Sequence, residues 1–491
     1  MTMNYKMMGR FIAQILFVEA AFMLPALLIS IYDGETKAAW AFVITMLLIF
    51  AVSGVLFLLV RGCERRFFAR EGLVCVALGW TIMSLLGCLP FFLSGEIPNY
   101  VDALFEIVSG FTTTGASICP DVEGLSRGIL YWRSFSHWLG GMGVLVFVLA
   151  IAPNAKKTGN DNNTGFTMHI LRAESPGPSV GKLVPKMRTT ASILYIIYIV
   201  MTIVNILFLL AGGMPWFDAV CTAFGTAGTG GFGIKNDSMA GYSPYLQNVT
   251  TVFMLLFGIN FGCYYLLLLR QFLNVLKDEE LRFYIGMVLL SIVLIVWDVR
   301  DYYDTLGETI RHAAFQVASI VTTTGYATTN FDLWPSFSKG IILCLMLVGA
   351  CAGSTGGGMK CSRVILLLKS LRRNIRATIN PQKVQIVRNN GQVVNEKVLN
   401  NVNAYLAAYT CFIAVSFLAV SLDGFSVETN ISAVVSCFNN IGPGFDAVGP
   451  VCNFAGYSIV SKLVLIADML SGRLEIFPIL ILFSRSTWKI R

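Results

Sequence analysis

The stretch NYVDALFEIVSGFTTTGAS, residues 99–117, recurs in altered form three times further along the chain. Its counterparts are PWFDAVCTAFGTAGTGGFG (215–233), TIRHAAFQVASIVTTTGYAT (309–328) and TNISAVVSCFNNIGPGF (429–445). In each, an apolar run leads into a glycine-containing turn, and the run is too short to cross a bilayer, which takes about 20 residues. Aligned on Thr114-Gly115, Thr229-Gly230, Thr324-Gly325 and Ile441-Gly442, the stretches leave room for a full helix on either side. The pattern predicts an internal repeat of helix, re-entrant half-helix and helix.

The composition places these repeats in a membrane. Of the 491 residues, 55% are hydrophobic and only 13% are charged, and the mean hydropathy is +0.69. A soluble protein carries about twice that share of charge. The composition therefore excludes a cytosolic enzyme, a nucleic-acid-binding module and a disordered scaffold. The net charge of +8 needs no nucleic-acid partner, since membrane proteins collect Lys and Arg on their cytoplasmic side.

Ten apolar runs are long enough to span a bilayer, and basic residues fall in every second connection between them, as Arg65 and Arg66 do. The runs lie at roughly 11–32, 38–60, 73–94, 129–152, 190–212, 246–270, 281–298, 340–369, 402–422 and 457–484. The alternation predicts ten crossings with both termini in the cytoplasm. Cys119 and Cys452 fall in predicted outer segments. They could form a disulfide bridge with each other or remain two free thiols, and the sequence leaves both alternatives open.

We expect an all-α integral membrane protein with one central pore. A two-helix hairpin opens the chain, and four pseudo-symmetric helix–pore-helix–helix repeats follow it. The hairpin spans 1–68, and the four repeats span 69–160, 161–278, 279–395 and 396–491. The second range includes the cytoplasmic linker that precedes the second repeat, and the third range includes a gating loop and a basic cytoplasmic linker.

The repeated turns are candidates for a cation filter. Non-helical backbone at membrane depth is tolerated where it is buried in protein or lines a watery cavity. Backbone carbonyls there can replace the hydration shell of a cation. The alternative for any single turn is a buried packing element. The candidate filter residues are Thr113, Thr114, Gly115, Gly228, Thr229, Gly230, Thr323, Thr324, Gly325, Asn440, Ile441 and Gly442.

The eighth run is interrupted by GACAGSTGGGMK, residues 349–360. Each glycine costs a helix about 1 kcal/mol relative to alanine, so we expect a flexible segment that acts as a gate. Close helix packing on small residues is the alternative. A phosphate-binding loop is rejected because Met359 occupies the position that lysine takes in that motif. The candidate gate residues are Gly353, Ser354, Thr355, Gly356, Gly357, Gly358, Lys360 and Arg473.

The tenth run contains three charges, Asp468, Arg473 and Glu475. Charges inside a bilayer face a partner or water. From the residues alone, Arg473 is expected to face water or to form a buried ion pair with Asp468 or Glu475. The polar, basic segment 369–397 is too polar to cross and suits anionic lipid or a docked regulatory subunit.

The chain resembles the TrkH/TrkG/KtrB superfamily of bacterial potassium uptake proteins, which is related to the plant and fungal HKT and Trk transporters. The resemblance rests on TTTGAS (112–117), AESPGPS (173–179), TGGF (229–232), TTTGYAT (322–328) and NNIGPGF (439–445). The opening hairpin resembles the TrkH branch rather than the shorter KtrB branch.

This resemblance implies a homodimer in the bacterial inner membrane, with one pore per subunit and a cytosolic nucleotide-binding ring of the TrkA type. It implies that K⁺ is the transported ion and the only metal, and that no cofactor is bound. In this superfamily a glycine at the first filter position goes with potassium and a serine goes with sodium; Gly115, Gly230, Gly325 and Gly442 are all glycine. The resemblance also implies an intramembrane loop at 353–358 and an arginine, here Arg473, on the inner side of the filter.

The predicted function is potassium uptake through a filter of backbone carbonyls. A sodium-permeable or sodium-coupled transporter of the same fold is the first alternative. A carrier that binds an organic solute at broken helices is the second. No enzymatic activity is expected, since the sequence lacks a paired catalytic cluster such as HExxH.

Overall fold

The computed structural model describes residues 4–60, 69–143 and 187–488. The chain opens with a helical hairpin, α1 (Tyr5–Phe22), α2 (Leu24–Tyr32) and α3 (Thr36–Leu59). The Ser53 hydroxyl of α3 donates to the Ala13 carbonyl of α1 at 2.8 Å, which ties the two arms together. Four helical units follow the hairpin.

The first two units share one order of elements: a membrane helix, a short buried pore helix and a second membrane helix. Unit one consists of α4 (Ala69–Gly87), α5 (Leu89–Leu93), the pore helix α6 (Tyr100–Phe111) and α7 (Arg127–Gly141). Unit two consists of α8 (Met187–Ala211), the pore helix α9 (Trp216–Gly228), α10 (Pro244–Phe257), α11 (Phe261–Leu268) and α12 (Phe272–Lys277).

The last two units repeat that order. Unit three consists of α13 (Glu279–Val299), the pore helix α14 (Leu306–Val321), α15 (Ser336–Leu347) and α16 (Cys361–Ile379). A small hairpin of β1 (Arg388–Asn389) and β2 (Gln392–Val393) leads into unit four. Unit four consists of α17 (Glu396–Val420), the pore helix α18 (Val427–Asn439), α19 (Ile459–Arg473), α20 (Phe477–Phe483) and α21 (Arg485–Trp488). The architecture is the predicted all-α membrane protein with an N-terminal hairpin and four repeats about one centre.

The four pore helices begin in the same way, at what we call the outer face. Each has an acidic residue in its first turn, where the positive end of the helix dipole favours a negative charge. The side chains of Asn99, Thr305 and Ser426 cap the first, third and fourth pore helices by accepting hydrogen bonds from backbone N–H groups. Pro215 precedes the second pore helix. The acidic residues are Asp102, Asp218, Glu308 and Glu428. The C-terminal, negative ends of all four helices therefore point inward.

Not all predicted spans are continuous helices. Within the described residues, six helical segments are long and apolar enough to cross a membrane, or seven if α10 and α11 count as one span bent by 89°. The run 340–369 breaks between α15 and α16, and the run 457–484 breaks after Arg473. The run 129–152 is described only as far as residue 143. In the break between α15 and α16, Gly353 and Gly358 have φ angles of 72° and 67°, which let the backbone leave the helix beside the centre of the bundle.

Candidate functional site

Each pore helix ends in the same left-handed turn. The turn residues are Thr113, Thr229, Thr323 and Asn440, with φ angles of 56–57°. The amide of the next residue donates to the carbonyl five positions earlier, as Thr114 does to Ser109 at 2.8 Å. The equivalent bonds join Gly230 to Gly225 and Thr324 to Ser319 at 2.8 Å, and Ile441 to Ser436 at 2.9 Å. Four unlike sequences thus adopt one backbone.

This backbone corrects the alignment of the second repeat by one residue. The glycine that follows the turn has a positive φ in every repeat, and in the second repeat that glycine is Gly231 rather than Gly230. Gly230 occupies the place of Thr114, and Gly228 that of Thr112. Two adjacent glycines fit the sequence pattern equally well, so only the φ angle distinguishes them. The four φ angles are 79° at Gly115, 72° at Gly231, 85° at Gly325 and 105° at Gly442.

The four turns close into a ring. A Cβ placed on Gly115 would lie 2.0 Å from the carbonyl oxygen of Gly230 in the next repeat. The same relation holds from Gly231 to Thr324 O at 1.9 Å, from Gly325 to Ile441 O at 2.1 Å and from Gly442 to Thr114 O at 2.8 Å. The last contact returns to the first repeat, so the loops meet around one axis. A side chain at any of these glycines would collide with a carbonyl oxygen.

A cavity of about 180 Å³ lies on the outer side of the ring, and all four of its glycines line it. Cys119 and Cys452 also line this cavity, and both are free thiols, so the possible bridge between them is not formed. Asp446 follows the fourth turn and accepts from the Ser426 and Thr429 hydroxyls at 2.7 and 2.6 Å. Those two hydroxyls, Thr429 first, lower the pKa of Asp446 below its ordinary value.

Buried polar side chains brace the ring from behind. The guanidinium of Arg133 pairs with Glu106, donates to Gly233 O at 2.9 Å and to Ser117 Oγ at 3.0 Å, and lies 3.9 Å from the Phe232 ring. These bonds join the loops of the first and second repeats. Arg133 and Glu106 are 3% and 0% exposed, so removing either would leave the other as an uncompensated buried charge.

His137 fills the space behind the same two loops. Its Nε2 accepts from Phe232 N at 3.3 Å, and its Nδ1 therefore carries the proton that is donated to Gly110 O at 3.0 Å. His137 is thus a packed polar residue that holds the loops of the first two repeats together.

The predicted gate segment is a compact loop on the inner side of the ring. Val348 and Met359 form a backbone bridge, and Gly349 N donates to Met359 O at 2.8 Å, so the two ends of the loop are held together. The loop reaches the third turn, where Gly357 N donates to Thr323 Oγ1 at 2.6 Å. Lys360, 2% exposed, turns back and donates to the carbonyls of Gly356 and Gly357.

Arg473 connects this loop to the first turn. Its Nη1 donates to Thr355 O at 3.0 Å and to Thr113 Oγ1 at 3.3 Å, and its Nη2 donates to Gly141 O at 2.8 Å and to Gly140 O. Glu475 pairs with Arg363, and Asp468 accepts from Ser416 Oγ at 2.6 Å. Of the two predicted positions for Arg473, the contacts favour the one beside the filter over an ion pair with either acid.

Two further attachments of the loop were not foreseen from the sequence. Glu280 of α13 accepts from Ala352 N at 2.7 Å and from Ser362 N at 2.9 Å, so one carboxylate oxygen holds both ends of the loop. Its place in the first turn of a span, after Asp278 and Glu279, gave no signal beyond that of an ordinary capping acid.

The second attachment is the junction between α10 and α11. There the Phe257 and Gly258 carbonyls accept from Thr355 Oγ1 at 3.3 Å and from Cys351 N at 3.1 Å. Phe261 N donates to Gly353 O at 2.9 Å. The 89° bend of this helix pair thus lies directly against the loop.

The loop and Arg473 also line a cavity of about 80 Å³ on the inner side. Within residues 4–60, 69–143 and 187–488, no group of three His, Cys, Asp or Glu side chains could hold a metal ion. The four turns, 113–115, 229–231, 323–325 and 440–442, consist of Thr, Gly, Asn and Ile and contain no carboxylate. The AESPGPS motif lies outside the described residues.

Comparison with known proteins decides the family. The chain matches the TrkH family, described as cation transport protein, over residues 38–490. The chain belongs to this family. It is 37% identical over 476 residues to the Trk system potassium uptake protein TrkH of Salmonella typhimurium, with 95% of each chain covered. It is 35% identical to the TrkH of Escherichia coli K12, with 99% of this chain and 100% of the relative covered.

The fold agrees with a solved structure of a TrkH family member. The crystal structure of the potassium transporter TrkH from Vibrio parahaemolyticus superposes with a TM-score of 0.87 at 30% sequence identity, covering 99% of this chain and 100% of that one. The chain therefore has the TrkH family fold and is a multi-pass membrane protein.

Proposed function

We propose that this TrkH family chain takes up K⁺ through the ring of backbone carbonyls at the meeting point of its four loops. The observation that carries the proposal is the closure of the ring, in which each filter glycine packs on a carbonyl oxygen of the next repeat. Relatives in Salmonella typhimurium and Escherichia coli are named Trk system potassium uptake proteins, which supports K⁺ as the ion.

The ring provides the chemistry that a permeating cation needs. One layer of oxygens consists of the backbone carbonyls of Thr114, Gly230, Thr324 and Ile441. The next layer consists of the carbonyls of the left-handed residues that precede them, Thr113, Thr229, Thr323 and Asn440. Four pore helices direct their C-terminal ends, each with roughly half a negative charge, toward the same point. An inside-negative potential contributes about 2.3 kcal/mol per charge per 100 mV to inward movement.

The loop and Arg473 act as the gate. The guanidinium bridges the loop carbonyl of Thr355 and the hydroxyl of Thr113, and these two hydrogen bonds support a role for Arg473 in blocking the pathway. A fixed positive charge below the ring also disfavours a cation there, because like charges repel most where the local dielectric constant is low. Opening requires Arg473 to exchange these bonds for water and the loop to move aside.

The assembly follows the family pattern. The chain lies in the bacterial inner membrane with both termini in the cytoplasm, forms a homodimer and has one pore per subunit. A cytosolic nucleotide-binding ring of the TrkA type docks on the basic segment 369–397, where Arg372 and Arg376 are exposed. The repeat boundaries are those set out above, 69–160, 161–278, 279–395 and 396–491. Nucleic acid is not a partner.

Flux into liposomes under a K⁺ or a Na⁺ gradient tests the proposal. Wild-type protein should carry K⁺ in preference to Na⁺, and Gly115→Ser should narrow the K⁺/Na⁺ flux ratio by about tenfold, or 1.4 kcal/mol. Gly340→Ser is the matched control, since a Cβ at Gly340 meets no atom within 4 Å. Equal wild-type fluxes of Na⁺ and K⁺ would favour the sodium-permeable alternative. An unchanged ratio in Gly115→Ser would reject the filter assignment.

A further inference from the structure

A deep apolar groove runs along the side of unit two. It has a volume of about 880 Å³ and is formed by α8, α10 and α11. Val200 on α8, Val252 on α10 and Leu268 on α11 line it and are 52%, 53% and 70% exposed, so the groove opens sideways. Tyr264 also lines it, but its hydroxyl is already bonded to Leu256 O at 2.6 Å. Apart from Met201, Tyr245, Asn248 and Tyr264, the lining side chains are aliphatic or phenylalanine, so the groove suits acyl chains at membrane depth.

The inner end of the groove is bounded by a segment that suits the membrane surface. α11 turns 89° from α10, and the residues that follow it include large apolar side chains that are 50–70% exposed. Arg270 and Lys277 are also exposed there. Exposed apolar side chains interleaved with cations are typical of helices that lie in the headgroup layer. The apolar residues are Leu269, Phe272, Leu273 and Leu276.

The acidic residues next to these cations already have partners. Asp278 caps α13 by accepting from Leu281 N and also accepts from Asn390 Nδ2 at 2.9 Å. Glu279 pairs with Lys369. Arg270 is exposed and lies two residues after Leu268 of the groove lining, so its positive charge can meet a phosphate in the headgroup layer beside the groove.

We propose that this groove binds an anionic glycerophospholipid, with its acyl chains between α8 and α10 and its phosphate on Arg270. A second copy of the chain is a poorer occupant. In a two-fold dimer the same patch meets itself, which would bring exposed cations of the two copies together.

The groove is connected to the gate, and this part rests on the proposed function. Leu256 lines the groove, and the carbonyls of the next two residues, Phe257 and Gly258, accept bonds from the loop. On the far side of the bend, Phe261 N donates to Gly353 O. A lipid that fits the bent arrangement of α10 and α11 stabilises the loop position seen here, since a ligand favours the state it binds better. The bound lipid therefore keeps the gate closed.

Lipid retention tests the site independently of transport. Protein purified in mild detergent is incubated with phosphatidylglycerol or phosphatidylcholine, and bound lipid is counted by native mass spectrometry. Wild type should retain one phosphatidylglycerol that Val252→Trp loses, because the indole fills the groove. Val293→Trp is the control, since Val293 is 64% exposed on α13, outside the groove. Retention by Val252→Trp equal to that of Val293→Trp would overturn the site.

Two further comparisons sharpen the test. Arg270→Gln should lose the preference for phosphatidylglycerol over phosphatidylcholine. Arg300→Gln is the control and should keep this preference, since Arg300 is 64% exposed at the other end of α13. An unchanged preference in Arg270→Gln would reject the assignment of the headgroup to Arg270. A change of oligomeric state in Val252→Trp alone would assign the groove to a second copy instead.

The link to the gate is tested in phosphatidylglycerol vesicles without a regulatory ring. There Val252→Trp should raise K⁺ flux about fivefold over Val293→Trp, the lower end of typical coupling between sites. Equal flux in the two variants would reject the link while leaving lipid retention as evidence for the site. Absence of K⁺ flux from every variant would count against the proposed function and not against the groove.

Discussion

The filter and the loop beneath it are both rich in glycine, but glycine has a different role in each. In the filter, Gly115, Gly231, Gly325 and Gly442 combine a positive φ with contact against a neighbouring carbonyl, so backbone packs on backbone around a closed ring. In the loop, Gly353 and Gly358 also have a positive φ, but the loop is attached to the rest of the chain through single hydrogen bonds to side chains such as Arg473, Glu280 and Thr323 and to the backbone of the α10–α11 junction.

This difference separates a rigid element from a movable one. Displacing one filter turn would disturb all four, because each turn fixes its neighbour. Displacing the loop requires the loss of a small set of hydrogen bonds, several of them to charged groups worth about 1.5–3 kcal/mol each. Substitutions in the filter should therefore abolish selective transport, whereas substitutions at the loop contacts should release it.

The largest effect is expected from Gly231→Ala. Its φ of 72° is unfavourable for alanine by roughly 1–2 kcal/mol, and the new Cβ would lie 1.9 Å from Thr324 O. Selective K⁺ flux in liposomes should fall at least about tenfold, while Gly340→Ala, whose Cβ meets nothing, should match wild type. Normal flux and selectivity in Gly231→Ala would restore the alignment on Gly230 and break the ring argument.

A smaller effect of opposite sign is expected from Arg473→Ala. Removing the guanidinium deletes its bonds to the loop and to Thr113 and removes a positive charge from the pathway. K⁺ flux without a regulatory ring should rise about tenfold. Arg473→Lys separates the two causes, because lysine keeps the charge but cannot span the same carbonyls. A lower flux in Arg473→Ala would show that this arginine supports conduction instead of blocking it.

The sequence predicted more of the filter than of the loop, for a physical reason. The repeat of apolar run and glycine turn is local, so residues 99–117 and their counterparts identify the pore helices and three of the four filter glycines. The choice between Gly230 and Gly231 depends on a φ angle that two adjacent glycines leave open. The attachments of the loop join residues far apart in the chain: Glu280 reaches Ser362, and Arg473 reaches Gly141. No single-sequence pattern encodes such pairs.

The breaks in the helices show the same difference between local features, which the sequence predicts, and long-range contacts, which it does not. The interruption of 340–369 was predictable because five glycines lie within it, whereas the bend between α10 and α11 was not. Near that bend the sequence offers only Gly258 and Asn260 inside an apolar run that otherwise satisfies every requirement for a straight span. The bend is held in place by bonds to the loop, so tertiary contacts and not local preference determine it.

The smallest effect, and the one that best separates hydrogen-bond geometry from charge, is expected at Glu280. Its Oε1 accepts from Ala352 N and Ser362 N, so Glu280→Ala removes the acceptor that joins both ends of the loop. Flux without a regulatory ring should rise about fivefold, within the range of typical coupling between sites. Glu280→Gln keeps an oxygen at the same place, and its K⁺ flux should stay within about twofold of wild type, because neutral acceptors hold weaker but similarly directed bonds.

Thermal unfolding of both Glu280 variants shows whether the fold survives. If Glu280→Gln and Glu280→Ala open the pathway equally, the charge of Glu280 near Lys360 would matter more than the two bonds, and the loop would be held by electrostatics and not by a specific latch.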